Sequence, residues 1–236
     1  MELRKGWDIE ETCAALMKGV VKNYMRGVDG DVAEFGTFTG RTAIALSAGI
    51  ANAEAIYGNK LTRLGLSGDG TKSIHLFDSF EGLPEISDEN DKACPLYSSG
   101  LWVKGSFNAD LARMNPDNLR MNCEQLLPKE RVNIYKGWFS DTIPLIDPGL
   151  KLSLIHIDCD LYSSTMDVLE GLINGDHIQS GALIFFDDWD CNAASPDFGE
   201  RKAWADLVKK YSIRFSPEQN YGAFGYSVIF HSAQKA

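Results

Sequence analysis

No stretch of the chain stays apolar for the roughly 20 residues that a membrane span requires, so no membrane partner is expected. The opening residues, Met1-Glu-Leu-Arg-Lys-Gly-Trp-Asp8, hold no apolar core of the kind a secretory leader carries. Cysteine is sparse and odd in number: five residues (Cys13, Cys94, Cys123, Cys159 and Cys191) with no CxxC pair. That argues against a disulfide framework or a zinc ribbon and points to reduced thiols in a cytoplasmic setting. Basic charge is in deficit, with 23 Lys and Arg against 33 Asp and Glu, a net charge of -10. A chain of that sign is a poor match for a nucleic-acid backbone or an anionic bilayer. Internal repeats and low-complexity tracts are also missing.

What the chain does have is two apolar runs that end abruptly in carboxylates. One is Leu154-Ile-His-Ile-Asp158-Cys-Asp160-Leu-Tyr162, the other Leu183-Ile-Phe-Phe-Asp187-Asp188-Trp189. Buried strands finishing in several acids are costly unless a cation sits among them. Hard oxygen donors favour Mg²⁺, Mn²⁺ or Ca²⁺, so Asp158, Asp187 and Asp188 are the expected metal set. The plain alternative for Asp188 is a solvent-facing cap. Asp160, a carboxylate beyond that set, is a candidate general base; its plain alternative is an N-cap for the helix that follows. His156 could join the metal, but a histidine in an apolar strand is more often a satisfied core residue.

Strand patterns at 31–36, 73–78, 132–136, 151–158, 182–188, 213–215 and 224–230 alternate with helical ones, chiefly 8–25, 41–57, 107–127, 163–174 and 198–211. Asp8 with Glu11 resembles a capping pair, and Pro116 must kink or divide its segment. The alternation predicts an α/β, Rossmann-like fold with a seven-stranded, mostly parallel sheet whose last strand is antiparallel. We read 1–236 as one domain: a helical segment over 1–30, then loops at 58–71, 85–105 and 189–198 near the ligand-bearing edge. In open α/β sheets that edge is the C-terminal one.

The turn Glu34-Phe-Gly36-Thr-Phe-Thr-Gly40 follows the first strand and opens a helix. Its glycines allow close approach of a ligand, and the helix start offers free N–H groups. It is not GxGxxG. An acid at Glu34 repels a pyrophosphate but suits an ammonium or ribose hydroxyls, which shifts the reading from a dinucleotide toward S-adenosylmethionine. Asp78, ending the second strand, fits a ribose partner or a simple turn. Phe80, Trp138, Phe139, Tyr162 and Trp189 fall in strand-to-helix loops where they could wall an adenine or an acceptor.

Glu34-x-Gly36 with Gly40, His75-Leu-Phe-Asp78-Ser-Phe-Glu-Gly-Leu-Pro84, Gly137-Trp-Phe-Ser-Asp-Thr-Ile-Pro144, His156-Ile-Asp158-Cys-Asp160-Leu-Tyr-Ser-Ser-Thr165, Asp187-Asp188 and Gly199-Glu-Arg-Lys-Ala203 occur in that order. Together, over about residues 30–210, they resemble the macrocin/mycinamicin O-methyltransferase family, which includes sugar O-methyltransferases of antibiotic biosynthesis. The resemblance implies a class I methyltransferase fold, S-adenosylmethionine as donor and Mg²⁺ dependence. It implies that Asp158, Asp187 and Asp188 bind the metal, Asp160 is the catalytic base, and Glu34 and Asp78 help hold the donor. The full expected donor set is Glu34, Gly36, Thr37, Phe38, Gly40, Asp78, Ser79, Trp138, Phe139 and Asp158. The 58–71 and 189–198 loops are longer than the family pattern, which leaves the acceptor open. A small hydroxylated acceptor, above all a sugar, is the expected partner; a homo-oligomer stays open. The competing readings are a catechol-type O-methyltransferase, a glycosyltransferase using Asp158-Cys-Asp160 as a DxD motif, and a ligand-binding domain without catalysis.

Overall fold

In the computed structural model, residues 7–58 and 71–234 are described. Five strands run parallel: β1 (Asp31–Phe35), β2 (Ile74–Asp78), β3 (Val132–Lys136), β4 (Leu152–Ile157) and β5 (Ile178–Phe186). After them come β6 (Arg214–Tyr221) and β7 (Gly225–Ser232), and β7 is antiparallel to both β5 and β6. The sheet order is β3-β2-β1-β4-β5-β7-β6. The seven-stranded, mostly parallel sheet expected from the sequence is therefore present, with the final strand as the reversed one.

Strand alternation sorts the core into two layers. Val32, Leu154, Leu183 and Phe185 face helices α1 (Trp7–Arg26) and α2 (Arg41–Ala53). Ala33, Phe35, Ile155, Ile157, Ile184 and Phe186 face the other way, onto α4 (Tyr162–Asn174) and α5 (Gly199–Lys210). A further helix, α3 (Pro116–Glu124), adds Leu119 and Cys123 to the first layer. Both faces are covered, so the central strands read as continuous apolar runs rather than alternating ones. Among the described residues no helix is long and apolar enough to cross a membrane.

Several boundaries differ from expectation. Asp8 lies inside α1, which already includes Trp7, so it is not the cap. Pro116 divides its segment by standing at the first position of α3, where a missing N–H costs nothing. There the Asn115 side chain caps the helix by accepting from the Asn118 N–H at 2.9 Å. The 85–105 segment, read as polar and irregular, contains two single helical turns, Glu89–Lys92 and Pro95–Ser98. A small satellite core of Leu83, Ile86, Cys94, Trp102, Leu161 and Cys191 holds it. Turns of four residues are too short to leave a helical period in the sequence. The predicted 58–71 insertion lies, except for its two ends, outside the described residues.

Gly19 sits mid-helix in α1, and a Cβ there would come within 2.7 Å of the Phe185 ring and 3.1 Å of Leu154. Helix propensity alone makes Gly19→Ala stabilising by about 1 kcal/mol. Packing reverses the sign, because Phe185 is buried and cannot retreat. We expect Gly19→Ala to lower unfolding free energy in urea by about 1–3 kcal/mol; a stabilised variant would sink this account of the α1–sheet contact.

Candidate active site

The turn after β1 fixes everything above it. Gly36 has φ +91°, and a Cβ there would lie 1.9 Å from the Asp158 carbonyl oxygen, so only glycine lets the β1 and β4 turns meet. From the other side the Asp158 N–H donates to the Phe35 carbonyl at 2.9 Å. Asp78 organises the same turn. Its Oδ2 accepts the N–H groups of Thr37 (2.6 Å) and Phe38 (3.1 Å) and the Thr37 hydroxyl (3.1 Å), and its Oδ1 accepts the Phe80 N–H at 2.6 Å. Ser79 closes its own loop through the Gly82 carbonyl and the Glu81 N–H.

Asp160 stands at φ +61°, a backbone region that aspartate tolerates better than most residues. The start of α4 is capped by Asp91, from the 85–105 segment. Its two oxygens accept the Tyr162 N–H (2.7 Å) and the Ser163 N–H (3.2 Å). Burial pushes the Asp91 carboxyl up despite those two donors.

Two cavities open side by side at this edge. The larger, about 510 Å³, is walled by Gly36, Phe38, Asp78, Ser79, Trp138, Phe139 and Asp160, with Glu81 and Phe107. The smaller, about 230 Å³, is walled by Thr12, Thr37, Thr39, Arg41 and Thr42 with Asp158, Asp160 and Asp187. Phe38, Phe107 and Asp160 belong to both walls, and the two rings meet edge to face with centroids 5.9 Å apart. Of the expected donor residues, Gly36, Phe38, Asp78, Ser79, Trp138 and Phe139 reach the larger cavity, while Thr37 and Asp158 reach the smaller one.

Glu34 and Gly40 line neither. Gly40 is the left-handed N-cap of α2, pressed on Leu119 and Met114. Glu34 is fully buried, one layer below, with Oε1 at 2.9 Å from His156 Nδ1. His156 Nε2 lies 3.9 Å from Asp187 Oδ1, near enough for charge attraction and too far for a hydrogen bond. Burial alone would push this imidazole down; Asp187, Glu34 and Asp158 outweigh it and hold His156 well above its usual value. Burial, then Asp187, with Asp188 and Glu34 behind it, drives the Asp158 carboxyl up, while His156 pulls it down.

The three carboxylates expected to hold a metal lie at the ends of β4 and β5. Asp158 and Asp187 face the smaller cavity, but Asp188 lines neither cavity, and its Oδ1 accepts the Cys191 thiol at 3.0 Å. Among the described residues no three His, Cys, Asp or Glu side chains group to hold an ion. His156 stands beside the carboxylates, with Nε2 3.9 Å from Asp187 Oδ1.

Glu200, at the start of α5, is fully buried; its Oε1 accepts the Cys159 N–H (3.2 Å) and its Oε2 the Asp188 N–H (3.1 Å). Burial, then Asp188 and Asp158, pushes its carboxyl well up. Sequence reasoning quoted Glu200 in a motif without giving it a role, and missed Phe107 and Asp91 altogether. Of the five aromatics proposed as walls, only Trp138 and Phe139 serve. Phe80 is in the core, Trp189 packs on Phe186, and the Tyr162 hydroxyl donates to Asp206.

Comparison with known proteins decides the family. The family model described as Macrocin-O-methyltransferase (TylF) matches residues 11–210. The chain belongs to this family. A tetracenomycin-C rhamnosyl 4'-O-methyltransferase of Streptomyces olivaceus is 29% identical over 191 residues, 78% of this chain and 63% of that protein. The mycinamicin III 3''-O-methyltransferase of Micromonospora griseorubida is 26% identical, over 77% of this chain and 65% of its own length. The chain thus spans a little under two thirds of these curated relatives. Among solved structures, the O-methyltransferase NovP superposes with a TM-score of 0.68 at 22% identity, covering 93% of this chain and 79% of that one. The calicheamicin methyltransferase CalS11 follows at 0.61 and 20%, covering 94% and 78%. These two establish the class I methyltransferase fold.

Asp91 is the long-range cap of α4, so Asp91→Ala should cost about 0.5–2 kcal/mol of stability, the usual range for a lost N-cap. Urea denaturation of the variant checks this, and a change within error would show that the cap bears no weight.

Proposed function

We propose that this chain is an S-adenosylmethionine-dependent O-methyltransferase acting on a hydroxyl of a sugar or glycosylated small molecule. The observation that carries this is Asp160, the one carboxylate in the walls of both cavities. The larger cavity suits the nucleoside part of the donor: Gly36 permits backbone approach, Trp138 and Phe139 offer aromatic faces, and Asp78 and Ser79 stand at the end of β2. Its volume lies in the usual range for cofactor sites. When bound, the donor supplies an electrophilic sulfonium methyl.

The chain's own contribution is positional and electrostatic. Asp160 accepts the proton of the acceptor hydroxyl as its oxygen attacks the methyl carbon and the carbon–sulfur bond breaks. A carboxylate is a weak base for an alcohol, so the transfer gains from being concerted with attack. Holding both reactants in line supplies much of the remaining acceleration. Thr12, Thr39, Thr42 and Arg41 give the smaller cavity hydrogen-bonding walls, which favours a polyhydroxylated acceptor over a catechol-type phenol. The names of the family relatives, one for a rhamnosyl-bearing tetracenomycin, agree with a sugar. A DxD glycosyltransferase reading leaves the paired cavities and the family match unused.

Mass spectrometry should find a methyl gain on at least one member of a panel of glycosides, nucleotide sugars and catechols. Asp160→Asn should cut kcat by about 10²–10⁴-fold, the span of general-base catalysis, with donor affinity by calorimetry within about twofold of wild type, because its amide fits the same walls. Undiminished turnover refutes Asp160 as base.

Metal dependence is the finer expectation from the sequence and is checked in the same assay. Loss of turnover in EDTA with recovery on added Mg²⁺ would support an ion at Asp158 and Asp187, with Asp188 released from Cys191. Full turnover in EDTA leaves activation to the side chains alone.

A further inference from the structure

We propose that Gly199 and Glu200 are positioning residues for catalysis, locking the Asp158–Asp160 turn against the Asp187–Asp188 turn. The inference rests on reading Asp160 as the base. The two turns leave adjacent parallel strands, and backbone pairing between them stops at the Asp187 N–H bond to the Ile157 carbonyl, 2.9 Å long. Beyond that rung each turn presents an inward N–H, from Cys159 and Asp188. Glu200 accepts one with each carboxylate oxygen, at 3.2 and 3.1 Å. A single side chain from α5 thereby extends the register one step past the end of the sheet.

Gly199 buttresses the same place from beside it. With φ +55°, a Cβ there would approach the Asp160 carbonyl oxygen to 3.3 Å and Trp102 to 3.6 Å. The start of α5 therefore touches the Asp160 turn twice, once through a hydrogen bond and once through close backbone packing. Neither residue lines either cavity, so both act through the carboxylates that do.

Chemistry sets the requirement for a carboxylate at position 200. Two converging N–H donors need two acceptor oxygens. In Glu200→Gln one of them faces an amide NH₂, so donor meets donor and the turns must part slightly. A misplacement on the order of 1 Å can cost about a hundredfold in rate, while the cavity walls that bind the reactants keep their residues.

The test compares wild type, Glu200→Gln and Gly199→Ala in donor calorimetry, thermal melting and steady-state kinetics with the acceptor found by mass spectrometry. We expect Glu200→Gln to lower kcat by about ten- to a hundredfold, with KM for donor and acceptor within about twofold and a melting temperature lowered by the buried donor clash but still above the assay temperature. Gly199→Ala should move kcat the same way by less. A folded Glu200→Gln with wild-type kcat overturns the proposal, as does a fall in melting temperature with kcat per folded molecule unchanged. Asp160→Asn in parallel separates the two levels: full turnover there removes the base itself, whereas its loss with an unaffected Glu200→Gln removes only the positioning role.

Discussion

Negative charge buried at the ends of β1, β4 and β5 is the constraint on which this edge depends. Glu34, Asp158, Asp187 and Asp188 lie at or just past neighbouring strand ends, and Glu200 reaches the same turns from α5. Burial raises the Asp158 and Glu200 carboxyls first, and nearby acids, Asp187 beside Asp158 and Asp188 beside Glu200, add to it. His156 pulls Asp158 the other way. Register sets it beside Glu34 across β1 and β4, and two residues further along stand Asp158 and Asp187. A buried pair of this kind is weak evidence for net stability, since desolvation consumes most of the attraction. Its value here is placement: it fixes where the acids of the smaller cavity can sit.

The acids divide by what their oxygens touch. Asp78, Asp91 and Glu200 each direct both oxygens at hydrogen-bond donors belonging to turns or helix starts, mostly backbone N–H groups of other segments. They fasten the loops. Asp158, Asp160 and Asp187 face cavities. Non-glycine residues with positive φ, which cost backbone energy, include Phe38, Phe107 and Asp160, the three shared by both cavity walls.

The same division explains what the sequence could and could not tell. Apolar runs ending in acids located β4, β5 and the site edge, because burial on both faces leaves an unmistakable pattern. The strand ends and the Gly36 turn were legible for the same reason. The roles of individual acids were not. Asp78 and Asp158 occupy equivalent strand-end positions, yet Asp78 directs both oxygens at a turn and Asp158 lines the smaller cavity; the difference lies in which donors the fold brings near. Glu34 looked like a strand-end ligand, but its penultimate position in β1 turns it toward His156 beneath α1. Asp188 lines neither cavity, and one of its oxygens accepts the Cys191 thiol, a contact that strand pattern does not report. Asp91 is 71 residues from the helix start it caps, and no local pattern reports such a pairing.

The turn 158–161 is held from four directions. Gly36 abuts the Asp158 carbonyl, Asp91 caps the helix leaving the turn, Glu200 takes the Cys159 N–H, and Gly199 packs on the Asp160 carbonyl. A turn so constrained has little freedom to adapt to different acceptors. On the proposed reading, differences in acceptor would fall to the parts of the smaller cavity that the turn does not fix. In this chain those are Thr12 on α1 and Thr39, Arg41 and Thr42 around the start of α2. Asp160 and the walls of the larger cavity belong to the sheet edge, whereas these four residues stand on or beside helix starts, where side chains can change without moving the 158–161 turn.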